Sequence, residues 1–311
     1  MKLIDLHCDT AYRIHSKRVL LAENDFHISL ENVIKYENYA QMMAIYINKK
    51  LSDEEGFYRF HEIYGYFFAE LAENKGRIAL ITDGRELPAI WESGRAAALL
   101  SVEDARLLAG KIERLDYLYS KGVRSLVLMW GGETCIGGSH DTNAGLTDFG
   151  REVTHRCFSL GIVPDISHAS ERSASEMLYI AGEYQKPLIA SHSNSYAVYP
   201  HSRNLRDSHF EAIQELGGIV GISLCRSHLA PGGDAKIDDI LKHIDHYMTL
   251  GGEDTVALGC DLDGTDLPDG ISGVADLEKI ADRLAAQGYS NELIEKIFWR
   301  NAAAFIEKNI R

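Results

Sequence analysis

Cysteine is scarce in this chain of 311 residues: there are five, Cys8, Cys135, Cys157, Cys225 and Cys260. Their odd number, wide spacing and lack of any C-x-x-C pair fit neither a disulfide framework nor a zinc knuckle, so reduced and mostly buried thiols are expected. Long apolar runs are missing too. No stretch approaches the ~18 residues a membrane span requires, and the polar residues from Asp5 onward leave no hydrophobic region for a signal peptide. The expectation is a chain that starts near Met1, has no membrane partner and works in the cytoplasm. Basic residues are outnumbered, 32 against 46 acidic, for a formal charge of -14. With no basic run to neutralise phosphates, no nucleic acid partner is expected. Nor does a glycine-rich phosphate loop follow the first apolar run, which counts against a doubly wound nucleotide-binding sheet.

What is present is an ordinary globular composition, 45% hydrophobic and 25% charged. Short β-rich runs alternate with longer helical patterns from end to end, the signature of βα units around a parallel sheet. Eight strands are predicted, at 3–7, 42–47, 96–103, 125–130, 162–168, 187–192, 218–224 and 256–261. Several are continuous apolar runs, as strands covered by outer helices should be. Ser52 with Glu55 forms a capping box before a helix whose apolar residues Phe57, Phe60, Tyr64, Phe67 and Leu71 recur at helical spacing, with Gly76 as its stop. Thr147, Ser173 with Glu176, and Asp207 mark further helix starts, and Gly161 and Gly217 two helix ends. "RIALIT" is a possible extra strand. No linker or repeat divides the chain, so residues 1–311 are read as one domain, an α/β fold of the (β/α)8 TIM-barrel type with additional C-terminal helices.

In such a barrel, functional groups lie at the carboxyl ends of the strands. Reading only those ends gives His7 and Asp9 after the first strand, Glu103 after the third, His168 after the fifth, His192 after the sixth and Asp261 after the eighth. In "LIDLHCDT" the extended-strand period of two puts His7 and Asp9 on one face, with Asp5 able to support them from behind and Cys8 pointing away. Each residue has an ordinary alternative as a cap, a turn residue or a buried ion pair. Six at one rim point instead to a metal. His243 and His246 on a predicted surface helix, and His15, His27, His61, His155 and His209 without strand-end context, are read as solvated or packing residues.

Imidazole and carboxylate ligands without thiolates suit Zn²⁺ in an open, catalytic site. If Glu103 bridges two ions, His7 and Asp9 complete one and His168 and His192 the other, with a water or hydroxide between them. Asp261 is then free to move protons.

The set "DLHCDT", "LLSVED", "DISHAS", "ASHSN", "HSRNLRD" and "LGCDLDG", in this order and at these strand ends, resembles the membrane dipeptidase family of metallopeptidases within the amidohydrolase-type barrels. The likeness runs from residue 3 to near 305. It implies two zinc ions per chain held by His7, Asp9, Glu103, His168 and His192, with a metal-bridging hydroxide attacking the peptide carbonyl of a dipeptide and Asp261 as the acid/base carboxylate. It implies that Arg203 in "SRN" binds the free C-terminal carboxylate, a role suited to a guanidinium fork. It also implies a homodimer. One departure stands out: where many family members carry a carbonyl-polarising histidine after the fourth strand, this chain has Trp130, whose indole N–H only donates. His140 in "GGSHD" is the alternative supplier. The expected function is therefore a zinc dipeptidase for substrates with a free C-terminal carboxylate. The competing readings are a metal-dependent hydrolase of cyclic amides, lactones or phosphoesters, and a non-catalytic binding protein stabilised by its metal.

Overall fold

A computed structural model describes residues 1–311. Nine parallel strands form in chain order: β1 Lys2–Cys8, β2 Asn38–Tyr46, β3 Ile78–Leu80, β4 Ala96–Glu103, β5 Val123–Val127, β6 Val163–Asp165, β7 Ile189–Ala190, β8 Ile219–Ile222 and β9 Val256–Leu258. The sheet order is β2-β1-β9-β8-β7-β6-β5-β4-β3, and β2 also pairs β4 from Ala40↔Ala97 to Tyr46↔Glu103. That pairing closes eight strands into the (β/α)8 barrel expected from the alternation of runs. The ninth, β3, is the extra strand suggested by "RIALIT". It takes the edge of β4 at Ala96–Ala98, and β5 takes the same edge higher up, from Leu100 to Glu103.

The strands of the second half are shorter than their apolar runs. β6 ends at Asp165 and β7 at Ala190, so His168 and His192 lie in the turns that follow. β1 shifts register between Asp5 and Cys8, and Asp9 lies beyond it as the residue flanking the helix Thr10–Lys17. Strand parity alone therefore does not bring His7 and Asp9 together. Asp5 does support them from behind, but through the backbone: its carboxylate accepts the N–H groups of His7 at 2.9 Å and Cys260 at 3.1 Å, tying the tops of β1 and β9. Cys8 packs its Sγ 3.3 Å from Met43 Sδ, and all five cysteines are free.

The helices follow their local signals closely. Ser52 Oγ accepts from the Glu55 N–H while the Glu55 carboxylate accepts from the Ser52 N–H at 2.8 Å, so the capping box opens the helix Asp53–Glu73. Phe60, Ile63, Phe67 and Leu71 are its buried stripe. It stops earlier than Gly76 suggests. Asn74 is the cap residue, its backbone N–H and its side-chain amide both donating to the Glu70 carbonyl. The helix expected at Ser173 starts three residues sooner: Ser170 caps Glu171–Tyr184 by accepting from the Ser173 N–H at 3.0 Å. Thr147 caps Asp148–Leu160, and Gly161 ends it in the left-handed conformation.

Two apolar clusters hold the layers together. The larger, of 69 buried residues, packs the helices on the barrel. The smaller, of 17, joins Ile4, Leu6, Met42 and Leu99 of the strands to Ala302, Phe305 and Ile306 of the last helix, Asn301–Asn309. That helix closes the amino-terminal end of the barrel, which leaves the carboxyl end for polar chemistry. No helix is long and apolar enough to cross a membrane.

Candidate metal centre

The carboxyl-end mouth gathers all six rim residues. Glu103, the last residue of β4 and 2% exposed, faces three imidazoles: His168 Nε2 at 3.0 Å, His192 Nε2 at 3.5 Å and His7 Nε2 at 3.6 Å. His7 Nε2 also lies 3.9 Å from Asp261 Oδ1. His7, Glu103 and His192 present ligand atoms that all lie within 4.8 Å of one another, and so do His7, Asp9 and Asp261. The two sets share His7. Asp261 thus stands as near to ligand distance as Asp9 does.

Local structure aims these groups. His168 and Asp261 both adopt positive φ, 68° and 59°, a conformation that costs a non-glycine residue about 1–2 kcal/mol. Such strain persists only where the surroundings over-determine it. Here the His168 carbonyl accepts the His140 N–H at 2.7 Å, and the Asp261 N–H donates to the His7 carbonyl at 3.1 Å. The His168 Nδ1–H donates to the Trp130 carbonyl at 3.1 Å, which turns the Nε2 lone pair toward Glu103. Ser191 Oγ lies 2.8 Å from His192 Nδ1 and does the same for that ring. Gly264 supplies clearance, since a Cβ there would sit 2.3 Å from both Asp261 Oδ1 and Asp9 Oδ2.

The electrostatics are those of buried carboxylates and imidazoles packed against one another. Burial pushes Glu103 up to about 8, against the pull of Arg203, and Asp261 up to about 7. Burial and the Glu103 charge hold Asp9 well above the carboxylate range. Burial first, and then the charges of Arg203 and neighbouring imidazoles, drive His168 and His192 well below theirs. Both nitrogens of His7 and Asp9 Oδ1 are buried with no hydrogen-bond partner, a costly condition. A divalent cation would satisfy His7 Nε2 and Asp9 Oδ1 and reverse the pKa order, leaving carboxylates charged and imidazoles neutral. The residues fit a metal.

The remaining site residues sit around this cage. Arg203 is 5% exposed and makes no ion pair; its Nη2 reaches the His192 carbonyl at 3.4 Å and its Nε has no partner. Trp130 contributes its carbonyl to His168, while its ring packs edge-on against Tyr46 at 5.1 Å. His140 has its ring 5.9 Å from that of His168, its Nδ1 3.0 Å from Ser202 Oγ, and a pKa lowered to about 4 by burial and Arg203. A cavity of about 960 Å³ opens beside the centre. Its wall includes His140, His168 and Arg203 but none of the other five rim residues.

Some contributors carry little sequence signal. Ser191 and the Trp130 carbonyl act through hydrogen bonds that only the fold creates. His228, with its ring 4.6 Å from that of His201, is pressed down to about 2 by burial and Arg203. Neither histidine follows a strand directly, so the strand-end rule passes over both. Of the two readings left for His243, solvated or packing, the structure takes the second: its helix is a surface one, but this side chain is fully buried. Its Nδ1 accepts the Ser195 N–H at 3.0 Å and its Nε2–H donates to the Leu229 carbonyl at 3.0 Å.

The sequence profile of the membrane dipeptidase family, peptidase family M19, matches residues 1–309. Two solved structures superpose over nearly the whole chain with a TM-score of 0.92. One is dipeptidase AC, a metallopeptidase of family M19, 26% identical and covered over 99% of its length with 100% of this chain. The other is a Rhodobacter sphaeroides metallopeptidase carrying a phosphinate mimic of the dipeptide L-Ala-D-Ala, 25% identical with 99% of each chain covered. An uncharacterized Klebsiella pneumoniae protein encoded in the pqqA 5' region is 33% identical over 243 residues, 74% of this chain and 89% of its own. The chain spans only 51 to 60% of the length of three other curated relatives.

Proposed function

We propose, from the premise that this chain belongs to the membrane dipeptidase family, that it is a zinc dipeptidase cleaving dipeptides with a free C-terminal carboxylate. The observation that carries this reading is the convergence of three imidazoles on the Glu103 carboxylate, at 3.0, 3.5 and 3.6 Å, beside a buried arginine with no carboxylate partner.

His7, Asp9, Glu103, His168 and His192 would hold two zinc ions. Such a pair, when bound, would supply an activated water as nucleophile and polarise the carbonyl. The chain's own groups do the rest. Arg203 takes the substrate carboxylate through its fork of N–H donors, and its burial strengthens that contact. Asp261 receives the proton of the attacking water on its carboxylate and returns it to the departing amine nitrogen. His140, kept neutral, donates a hydrogen bond to the carbonyl oxygen as charge develops there. Trp130 keeps its place as a support for His168. The helix at the base of the barrel and the surrounding cluster exclude water from below. The reading takes residues 1–311 as one catalytic domain, working as a cytoplasmic homodimer; fractionation and sedimentation test those two points.

The deciding experiment is hydrolysis of a dipeptide panel with and without chelator, alongside elemental analysis of the purified protein. Two zinc ions per chain and chelator-sensitive cleavage are expected. Absence of metal-dependent cleavage of every member would overturn the reading.

A further inference from the structure

We propose that Asp165 is a positioning residue for the metal centre: its buried carboxylate clamps together the two turns that carry His168 and His192, so that both imidazoles are presented to one cation. The proposal rests on the metal-dependent reading above and adds to it a residue that stands behind the ligands.

The need for a clamp comes from the sheet. β6 and β7 are three and two residues long, and their ladder has a single register pair, Asp165↔Ile189. His168 and His192 lie beyond that pair, in turns the ladder does not reach. Asp165 supplies the missing tie. Its Oδ1 accepts the Ser167 N–H at 2.8 Å and the Ser191 N–H at 3.1 Å, and these residues immediately precede His168 and His192. Ser167 Oγ in turn accepts the His192 N–H at 3.1 Å, which carries the bridge directly from one turn to the other. Asp5 does the same at the seam of β1 and β9, where it accepts the N–H groups of His7 and Cys260. One device, a buried aspartate below the rim, thus serves two seams that deliver site residues.

Chemistry separates this role from ordinary turn formation. Asp165 is 1% exposed, and its Oδ2 has no partner. Burying a carboxylate in that state is costly, whereas a neutral serine or asparagine suffices to cap a turn. What the carboxylate adds is a pair of charge-assisted bonds, shorter and stronger than those a neutral oxygen makes. Its charge also reaches the site: it adds to burial in raising Glu103 and opposes burial in lowering Arg203.

The test reads metal retention instead of rate. The full chain is loaded with zinc, and zinc per chain is followed as a chelator lowers the free metal. In Asp165→Ala one of the two ions should leave at a free-zinc level about 10- to 100-fold higher than in the native chain, as for other groups that orient metal ligands, while the second ion is held as before. A merely structural role would lower Tm and leave both affinities in place. Asp165→Asn keeps an acceptor for the two N–H groups without the charge and should fall between the native chain and the alanine variant. Ser167→Ala removes only the bond to the His192 N–H and should weaken the same ion in the same direction, which keeps the question open to decision if Asp165→Ala does not fold. Native affinity for both ions in Asp165→Ala, equal weakening of the two, or an asparagine variant no better than alanine would overturn the proposal. So would native affinities in both Asp165→Asn and Ser167→Ala. A native chain that binds no zinc would instead strike the metal-dependent reading itself.

Discussion

The Nε2 atoms of His168 and His192 lie 2.9 Å apart. Burial holds both imidazoles neutral, and the Nδ1–H of His168 is committed to the Trp130 carbonyl. Two Nε2 lone pairs at that distance repel unless a proton or a cation lies between them. With a cation, each lone pair has an acceptor, and Glu103 at 3.0 Å completes the contact.

Chelation should therefore cost stability as well as activity. A metal present at 100 times its Kd adds about 2.7 kcal/mol to the folded state, so the stripped protein should melt several degrees lower and recover on adding zinc. Glu103→Gln should bind less than the full zinc complement and lose activity by about 100-fold or more. Differential scanning calorimetry with metal analysis checks both; equal Tm with and without chelator would refute the link between metal and fold.

Arg203→Ala should raise KM for dipeptides by roughly 10- to 100-fold while leaving the zinc content intact, because the lost bonds to a charged group are each worth about 1.5–3 kcal/mol. Arg203→Lys should recover only part of this, since an ammonium lacks the planar fork. Steady-state kinetics on one good substrate decides it, and an unchanged KM in the alanine variant would remove Arg203 from carboxylate binding.

Asp261→Asn should lower kcat by about 10²–10⁴ with both metals retained. Its Oδ1 lies 3.9 Å from His7 Nε2, so the informative measurement is zinc stoichiometry beside the rate. Metal lost along with the rate would make Asp261 a ligand instead of a proton carrier.

Gly264→Ala places a Cβ 2.3 Å from the carboxylate oxygens of Asp9 and Asp261. Both side chains must swing away, so kcat/KM should fall by more than tenfold. The global melting temperature should change far less, because the clash is with side-chain tips and not with the core. Wild-type kinetics in this variant would show that neither carboxylate needs its present position.

His243 makes a statement about pH. Burial lowers it to about 4 from the ordinary value near 6.5, so the unfolded chain takes up its proton first as pH falls. The stability that this group contributes is complete above 6.5 and is lost between 6.5 and about 4, on the order of 2–3 kcal/mol. Protonation would also put a hydrogen on Nδ1, which now accepts the Ser195 N–H. Urea unfolding at pH 7 and pH 5 should show a loss for the native chain that is smaller in His243→Gln; equal losses would assign the pH dependence elsewhere.

Much of this arrangement was open to inspection in the amino-acid order. Binary patterning marked the barrel strands and the extra one, since a strand packed on both faces needs an apolar run whatever its neighbours are. Capping at Ser52 and Thr147 is settled within four residues. The one misplaced helix start, Ser173 for Ser170, arose because "SERS" offers two hydroxyls three apart and only one can precede the first turn. His243 stands between solvent and packing in the sequence because its helix looks amphipathic; the tertiary structure decides for packing, with the Ser195 N–H and the Leu229 carbonyl on its two ring nitrogens.

Local order therefore determined which chemical groups stand at the ends of strands, because apolar runs, caps and turns depend on near neighbours. It could not determine which of those groups face one another. That was decided when β2 paired with β4 in the register Tyr46↔Glu103 and closed the ring, and when His168 and Asp261 were held at positive φ by contacts to His140 and His7. Distances of 3 Å between residues 65 or 24 apart in the chain, as from Glu103 to His168 and from His168 to His192, exist only once the closed barrel has fixed the ends of its strands at a common rim.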